Sequence, residues 1–356
     1  MSIRRSKCLL CSRDLEPIDS EIQKHPDVED CEVRYTDGFG IAIEIEEDPD
    51  ANANLEEPIL YKTYPRVDEV LDDIFTAHEL TYLGGQSTGR GWSSVSKFQR
   101  CWYLWKRDYL ERKPRALNIV ESPSLAIGTL VHVFLALYYT GMMGDDNPYR
   151  TLTPEMVYER VKVRANPELV AEAWRVFSGY RLYYQPETAP NEHGERSLTP
   201  LAVEYDLRDP RTGESCRYDL IAWLDRGLQG GLPGTYIFEH KTGSRFDRDF
   251  LEAWQNDGEV IGQVALWKKL GLDKRFGPLR GTVMNLLGKQ KDPRFHRTYI
   301  APDSWRVESH LSDLRRWEGI IQLAVSSDNF PRARGNCIGR YGRCHWYDHC
   351  ATSEES

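Results

Sequence analysis

Three strand-like segments followed by a helix-like segment, in the middle of the chain, constrain its fold most strongly. Residues 201–207, 215–224 and 235–242 are rich in apolar, β-branched and aromatic side chains, and the turn sequences DPRTGE and DRGLQGGLPG separate them. The pattern of residues 249–270 predicts one long helix, and the apolar run 281–287 predicts a buried strand. This order predicts an α/β domain with a mixed central sheet flanked by helices.

Charged side chains stand inside two of these strands. Asp219 lies in the apolar run RYDLIAWL, and Glu239 and Lys241 end the run YIFEHK. Because residues i and i+2 of a strand share a face, Glu239 and Lys241 project together while His240 faces away. A carboxylate can bind a hard divalent cation, and a nearby lysine can orient a water and stabilise charge on a phosphate. The pattern suits metal-assisted cleavage of a phosphodiester, although E-x-K alone is also typical of a surface ion pair.

The composition limits the classes of protein to which the chain can belong. Of its 356 residues 28% are charged, the net charge is -9 and the mean hydropathy is -0.58. No apolar run approaches the roughly 20 residues that span a bilayer, and the start of the chain lacks the apolar core of a secretory signal. These features predict a cytoplasmic protein with no membrane partner. The acidic balance argues against a passive nucleic-acid coat, but not against an enzyme with a basic groove.

Residues 1–80 are interpreted as an accessory segment that precedes the main domain. The chain has eight cysteines, and in a reducing compartment cysteines grouped in sequence indicate a metal site before disulfides. The spacing near the start is compatible with a tetrahedral zinc site, for which unliganded cysteines are the alternative. The candidate zinc ligands are Cys8, Cys11, His25 and Cys31.

Helices are predicted from Val67 onward and over residues 151–190, and two further helices before the strands carry candidate site residues. Residues 93–112 predict one continuous helix that is capped by serines and carries an aromatic stripe beside Cys101. A second, amphipathic helix is predicted to begin near Ile127 and carries His132 one turn in. A cysteine or histidine on such a helix is most often an ordinary packed or hydrogen-bonded core residue.

Four motifs follow one another in a recognisable order. They are GTLVH on the second helix, RYDLIAW and EHK in the strands, and a glutamine on the next helix with an aromatic residue four positions later. In these motifs residues 92–350 resemble the PD-(D/E)XK nuclease superfamily, and within it the RecB-like exonucleases that carry an iron-sulfur cluster. CWYLWKRDY is a looser match to the CPxxWxxxY helix of that family. The resemblance implies a restriction-endonuclease-like αβββαβ core with helical insertions, in a domain that covers residues 81–356.

The resemblance also implies roles for residues of the site. A divalent cation, Mg2+ or Mn2+, would be bound by His132, Asp219, Glu239 and the main-chain carbonyl of His240. Lys241 would position the attacking water or help to deprotonate it. Asp219, Glu239 and Lys241 are thus the implied catalytic residues.

Three more positions match the family. Gln263 would be a further catalytic residue that fixes the active site and contacts the DNA backbone. Glu204, one strand before the motif aspartate, matches an acidic position with a supporting role. Trp267 stands where the family has a tyrosine, which keeps the aromatic ring and loses the hydroxyl.

The cysteines near the end of the chain carry the most specific part of the resemblance. Cys337, Cys344 and Cys350 resemble the C-terminal triplet of these enzymes, and Cys101 takes the place of their distant fourth ligand. Four thiolates are the usual ligands of a [4Fe-4S] cluster. Such a cluster would close a loop of roughly two hundred residues and act as a structural staple. A zinc site with the same ligands, or a triplet completed by another residue, is the alternative.

The resemblance implies a metal-dependent DNA exonuclease that prefers single strands or DNA ends. Its expected context is recombination, repair or replication in a bacterium or phage. No helicase motor motif is present in the sequence, so unwinding would require a helicase or a recombination or replication partner; the oligomeric state stays open. The alternatives are a CRISPR-associated RecB-like nuclease that trims spacer precursors, and a non-catalytic DNA-binding scaffold.

Overall fold

The computed structural model describes residues 64–80, 91–111, 122–144, 147–226, 231–244, 248–339, 342–344 and 346–352, and three short strands nearer the start. The chain divides into two compact units, residues 1–63 and 64–356. The three strands of the first unit form an antiparallel sheet in the order β1-β2-β3; they are β1 (Glu16–Ile18), β2 (Ile22–Lys24) and β3 (Glu32–Arg34). The four candidate zinc ligands lie outside the described residues.

A five-stranded mixed sheet forms the centre of the second unit. Its spatial order is β4-β5-β6-β7-β8; neighbouring strands are antiparallel except β6 and β7, which are parallel. The strands are β4 (Leu198–Arg208), β5 (Ser215–Leu224), β6 (Gly234–Gly243), β7 (Leu279–Gly288) and β8 (Phe295–Ile300). The predicted strands are therefore confirmed, with bounds shifted by at most three residues. The sheet and its helices fit the predicted PD-(D/E)XK core.

Helices surround this sheet, and a small hairpin and a short helix end the chain. Before the sheet come α1 (Val67–Thr76), α2 (Trp92–Arg100), α3 (Trp102–Trp105), α4 (Pro123–Thr140), α5 (Pro154–Val161), α6 (Pro167–Tyr183) and α7 (Gln185–Thr188). Within and after the sheet come α8 (Arg248–Gln255), α9 (Gly258–Leu270), α10 (Asp273–Phe276), α11 (Ser304–Ser326), β9 (Ile338–Gly339), β10 (Gly342–Arg343) and α12 (Tyr347–Thr352).

The core has two main layers, one on each face of the sheet. On one face α4 and α6 pack against strand residues such as Leu220 and Phe238, and α1 and α5 pack against α4. On the other face α9 and α10 contribute Leu266, Trp267 and Phe276, which pack against Tyr218 of β5 and neighbouring strand residues. Burying both faces explains why the central strands read as nearly continuous apolar runs.

The helix α4 is more deeply buried than its predicted amphipathic pattern suggests. It begins at Pro123, four residues before the predicted start, and eleven of its 18 residues are buried. Among the described residues it is the one helix that is long and apolar enough to cross a membrane, with a mean hydropathy of 1.4, and 61% of it is buried inside the protein. It thus packs in the way that the core helix of a folded domain does.

Two predicted long helices are wrong, because each is interrupted. The helix predicted over 93–112 ends at Arg100; Cys101 is extended (φ -165°, ψ 118°), and α3 then begins at Trp102. The predicted serine caps are also wrong, since the cap residue is Gly91. The helix predicted over 249–270 is divided into α8 and α9, and the side chain of Asp257 accepts a hydrogen bond from the Glu259 N–H at the start of α9.

Candidate active site

The sheet opens between β5 and β6 at the position of the predicted acidic residues. Paired residues run along the two strands as far as Leu220 and Phe238, and Asp219 and Glu239 come next. Here the carboxylate of Asp219 accepts a hydrogen bond of 2.7 Å from the main-chain N–H of His240. The hydrogen bond from the side chain of Asp219 thus replaces a main-chain hydrogen bond between the strands, and the two carboxylates lie where the strands separate.

The strand β4 brings a third carboxylate to this point through an unusual backbone conformation. Glu204 has a φ of +46°, a region that residues other than glycine seldom adopt. Its neighbours in β4, Val203 and Tyr205, pair with the residues on either side of Asp219. Strained backbone of this kind concentrates at functional sites, where the surrounding structure holds it in place. The supporting residue of the prediction is thus brought directly beside the motif aspartate.

His132 approaches the same carboxylates from α4. Its Nδ1 lies 3.7 Å from Oδ2 of Asp219. The approach is close because α4 carries Gly128 against the end of β6, where an added Cβ would lie 3.2 Å from Oγ1 of Thr242. Burial, and then the charge of Lys241, lower the pKa of His132, so the imidazole is neutral and can act as a ligand.

Glu239, Lys241 and Gln263 form the second half of the site. Nζ of Lys241 lies 2.5 Å from Oε1 of Glu239, and Nε2 of Gln263 donates a hydrogen bond of 2.6 Å to Oε2 of the same carboxylate. Glu239 and Gln263 are almost completely buried. The predicted E-x-K strand and the predicted glutamine helix therefore meet on one carboxylate.

Glu259, which none of the sequence motifs includes, also contacts Lys241. Its Oε2 lies 3.1 Å from Nζ of Lys241, and its side chain is 42% exposed. Glu259 precedes Gln263 by four residues in α9, so both side chains lie on one face of the helix. That spacing was the available signal. Together we call Glu204, Asp219, Glu239 and Glu259 the acidic group.

Burial makes the acidic group hold protons more tightly than ordinary carboxylates. Burial raises the pKa of Asp219 to about 6, against the opposing effects of Lys241 and the His240 N–H. Burial, and then the charge of Asp219, raise the pKa of Glu239 and raise that of Glu204 well above its usual range. The nearby cations thus fail to compensate fully for the buried negative charge.

One subset of these residues can hold a divalent cation. Ligand atoms of His132, Glu204 and Asp219 all lie within 4.8 Å of one another. Two carboxylates and a neutral imidazole are suitable donors for Mg2+ or, because of the imidazole, for Mn2+. A cation placed there would offset the negative charge that raises the carboxylate pKa values, so the residues present fit the predicted metal.

A buried polar network holds His240 on the other side of β6. Its Nδ1 lies 2.7 Å from Nδ2 of Asn285, which also donates to the hydroxyl of Tyr180 at 3.0 Å. Arg297 donates to the same hydroxyl and to Oδ1 of Asn285, and Tyr139 stacks on the His240 ring. The main-chain N–H and carbonyl of His240, next to Asp219, are therefore carried by a firmly positioned residue.

The site opens into a cavity of about 790 Å³ to which α2, β5, α9 and α11 contribute. His132, Asp219, Glu239, Lys241 and Gln263 all line it. Trp267 does not line this cavity. It is fully buried in the core, with its indole N–H donating a hydrogen bond of 2.8 Å to Asp273. Its place in the motif is structural in this chain.

The four predicted iron-sulfur ligands meet in a second cavity, of about 290 Å³. Cys101, Cys337, Cys344 and Cys350 all line it, and we call them the cysteine group. The break between α2 and α3 falls at Cys101, where the extended backbone interrupts the helix. Four thiols around one cavity are a suitable donor set for an iron-sulfur cluster or for zinc.

Hydrogen bonds tie the end of the chain to α2 and α3 independently of any metal. Nδ2 of Asn336 donates to the carbonyl of Arg100 at 2.9 Å, and Nε of Arg100 donates to the carbonyl of Asn336 at 3.3 Å. The indole N–H of Trp346 donates to Asp108 at 2.9 Å. Burial raises the pKa of the Cys344 and Cys350 thiols, so a metal that requires thiolates would displace protons from them.

Comparison with known proteins identifies the family. A search of curated proteins finds no match to the sequence. One similar solved structure is a crystal structure from Eubacterium rectale described as a "Putative exonuclease"; the identity is 14%, 75% of this chain and 88% of that chain are covered, and the TM-score is 0.42. The profile of the PD-(D/E)XK nuclease superfamily matches residues 92–351, which hold both cavities. The chain therefore belongs to the PD-(D/E)XK nuclease superfamily.

Proposed function

We propose that this chain is a metal-dependent deoxyribonuclease that hydrolyses phosphodiester bonds as an exonuclease on single strands or DNA ends. Nucleases of this superfamily use divalent metals. The observation that carries the proposal is the meeting of His132, Glu204 and Asp219 within 4.8 Å, since His132 and Asp219 line the cavity that also contains the Glu239–Lys241 pair. Candidate metal ligands and a lysine cation thus face one space in which a phosphate can lie.

The cation would be held by His132, Glu204 and Asp219, whose ligand atoms lie close together, with Glu239 and the main-chain carbonyl of His240 as the further ligands that the resemblance implies. When bound, Mg2+ or Mn2+ supplies Lewis-acid stabilisation of phosphate charge and lowers the pKa of water. The residues around it hold this centre in place. Gln263, through its bond to Oε2 of Glu239, fixes that carboxylate in one orientation.

Lys241 acts as a cation rather than as a base. Burial alone would lower its pKa, but Glu239, Glu259 and Asp219 together raise the pKa well above its usual range. A lysine that keeps its proton cannot accept one from water. Lys241 therefore orients the water and stabilises the charge that develops on the phosphate.

The cysteine group holds a [4Fe-4S] cluster that acts as a structural staple between α2–α3 and the end of the chain. Its support is the convergence of Cys101, Cys337, Cys344 and Cys350 on one cavity. Anaerobically purified protein should contain iron and inorganic sulfide, with visible absorbance that is lost in Cys344→Ala. Stoichiometric zinc without iron in the same preparation would contradict the cluster.

The wider setting follows from the nuclease proposal. Residues 1–80 form an accessory segment, with zinc at Cys8, Cys11, His25 and Cys31; its helix α1 packs against α4 and α5 of the RecB-like nuclease domain, residues 81–356. The protein acts in the cytoplasm of a bacterium or phage-infected cell, in recombination, repair or replication, beside a helicase or recombination partner. Metal analysis of purified full-length variants, each lacking one of these four ligands, tests whether zinc is bound.

Cleavage of end-labelled linear DNA tests the proposed activity. Single- and double-stranded substrates are incubated with Mg2+ or Mn2+, using wild type, Lys241→Ala and the control Lys268→Ala, which removes an exposed lysine of α9. We expect metal-dependent loss of label with wild type and the control, and at least about a thousandfold slower loss with Lys241→Ala.

Two other outcomes would replace the proposal. Metal-independent DNA binding with equal, residual cleavage in all three proteins would favour the non-catalytic scaffold. Cleavage restricted to spacer-precursor ends in the presence of an integrase would favour the CRISPR-associated nuclease.

A further inference from the structure

The 790 Å³ cavity has two chemically different walls. One wall carries three members of the acidic group, Asp219, Glu239 and Glu259, together with Lys241 and Arg217, so charged side chains dominate it. The other wall is a face of α11. A cavity with ionic chemistry on one side and apolar side chains on the other is suited to a ligand that is itself charged on one side and apolar on the other.

The face of α11 toward the cavity carries four apolar residues among four polar ones. Leu311, Leu314, Ile321 and Val325 line the cavity at spacings of three, seven and four residues, which place them on one side of the helix. We call these four residues the apolar wall. Ile321 of this wall, with Trp317 and Ala324, also packs against the aromatic core formed by Phe98, Trp105 and Phe330. Leu311 packs against the cluster that contains Val264 of α9. Leu314 and Val325 belong to neither cluster, so these two are the wall residues most open to a ligand.

The charges around the cavity place the phosphates of a nucleic acid away from the apolar wall. Among the described residues, α11 contributes no lysine or arginine to the cavity; its polar contributions are His310, Glu318, Gln322 and Ser326. The cations Arg217 and Lys241 belong to the opposite wall, where a divalent metal would also lie. Phosphates therefore belong at the opposite wall, and the apolar wall is left for the faces of bases.

Trp92 joins the two walls. Its indole ring lies 5.2 Å from the ring of His310 on α11, and it covers Gly258 at the start of α9, where an added Cβ would collide with the ring. The tryptophan is thus held between the helix that carries Gln263 and the helix that carries the apolar wall. Trp92 itself lines the cavity beside the apolar wall, where an aromatic side chain can contact a base.

We propose that the apolar wall and Trp92 bind the unpaired nucleobases of a single strand whose scissile phosphate lies at the acidic group. This inference rests on the proposed nuclease function and specifies its substrate. The bases of a duplex are covered on both faces by stacking, so an apolar wall selects unpaired nucleotides. The cavity volume lies within the range of about 300–1,000 Å³ that is typical of ligand pockets.

Oligonucleotides with abasic residues test this inference. Single strands with one abasic residue at successive positions from the cleaved end are compared with normal strands, by kcat/KM with Mn2+. The proteins are wild type, Leu314→Ala, Val325→Ser and the control Leu323→Ala, an exposed residue of α11 outside the cavity. Val325 is 40% exposed, so its replacement leaves the fold intact even if Leu314→Ala unfolds.

For wild type and the control, we expect an abasic residue at one or two positions to lower kcat/KM about tenfold. The wall variants should be about tenfold slower on the normal strand, and the same abasic residues should slow them by less than about twofold. The inference is wrong if abasic residues slow wild type and wall variants by equal factors, as when another segment or a protein partner covers the wall. Failure of the nuclease proposal looks different: wild type then cleaves no strand at all.

Discussion

The acidic group and the cysteine group are assembled from the chain in different ways. Glu204, Asp219 and Glu239 come from three consecutive, neighbouring strands. The cysteine group joins the end of α2 to the end of the chain, where Arg100 and Asn336 form reciprocal hydrogen bonds across 236 residues. One site is local in the sheet, and the other closes most of the second unit.

The two groups also differ in their effect on the fold. Buried carboxylates with raised pKa values repel one another, so without a cation the acidic group opposes folding at neutral pH. The cysteine group lies among hydrogen bonds that already hold the chain end in place. Under the proposed function, the first region loses stability in order to bind a metal, whereas the second region only stabilises the fold.

Replacing Asp219 by asparagine should separate these effects most strongly. We expect nuclease activity to fall by at least about a thousandfold, because a metal ligand is lost. Without metal, the free energy of unfolding at pH 8 should rise by on the order of 1–3 kcal/mol, because a carboxylate whose folded pKa is about 6 no longer has to be ionised in the fold. Urea denaturation in EDTA measures this.

The sign can be checked by pH and by a control. A carboxyl with a raised folded pKa destabilises the fold above that pKa and has no effect below the ordinary pKa, so the gain should vanish near pH 4. Asp72→Asn, an exposed residue of α1, should leave activity unchanged. A less stable Asp219→Asn protein at pH 8 would mean that the acidic group does not oppose folding.

Cys344→Ala should show the opposite behaviour. We expect a loss of soluble protein and a fall in the free energy of unfolding of about 3–5 kcal/mol, because the cross-link that closes a loop of roughly two hundred residues is lost. The activity of the protein that remains folded, measured per active site, should change by less than about threefold. Wild-type stability of Cys344→Ala would refute the staple.

Metal binding at the acidic group should depend on pH, which is the next largest expected effect. Because the pKa of Asp219 is about 6, a proton competes with the cation below that pH. We expect Mn2+ affinity, measured by calorimetry without DNA, to be nearly constant above about pH 7 and to fall about tenfold per pH unit below pH 6. Affinity that stays constant down to pH 5 would place the cation away from Asp219.

Glu259→Gln should have the smallest effect. Glu259 is not a proposed metal ligand, but its carboxylate lies 3.1 Å from Nζ of Lys241 and helps to position the lysine. We therefore expect kcat to fall about five- to tenfold with little change in KM. Glu259→Asp should restore part of the activity, which a merely structural defect would not allow. Glu308→Gln, on the exposed surface of α11, is the control. Unchanged kcat would show that Glu239 alone positions the lysine.

The sequence by itself determined the order of the strands and the residues at the centre of the site. Strand alternation is a property of adjacent residues, so Glu239 and Lys241 had to share a face wherever the strand was placed. Their meeting with Asp219 and Gln263 followed from motif order and is seen in the structure. The same local information wrongly predicted an uninterrupted helix through Cys101.

Only the tertiary structure decided which distant side chains meet. The positive φ of Glu204, the contact of Glu259 with Lys241, the burial of Trp267 and the apolar wall of α11 all depend on packing between elements far apart in the chain. Helix and strand periodicity specify which face of an element is apolar, but not which element covers that face. The break at Cys101 has the same origin, since backbone propensity favours a continuous helix and the docking of the chain end overrides it.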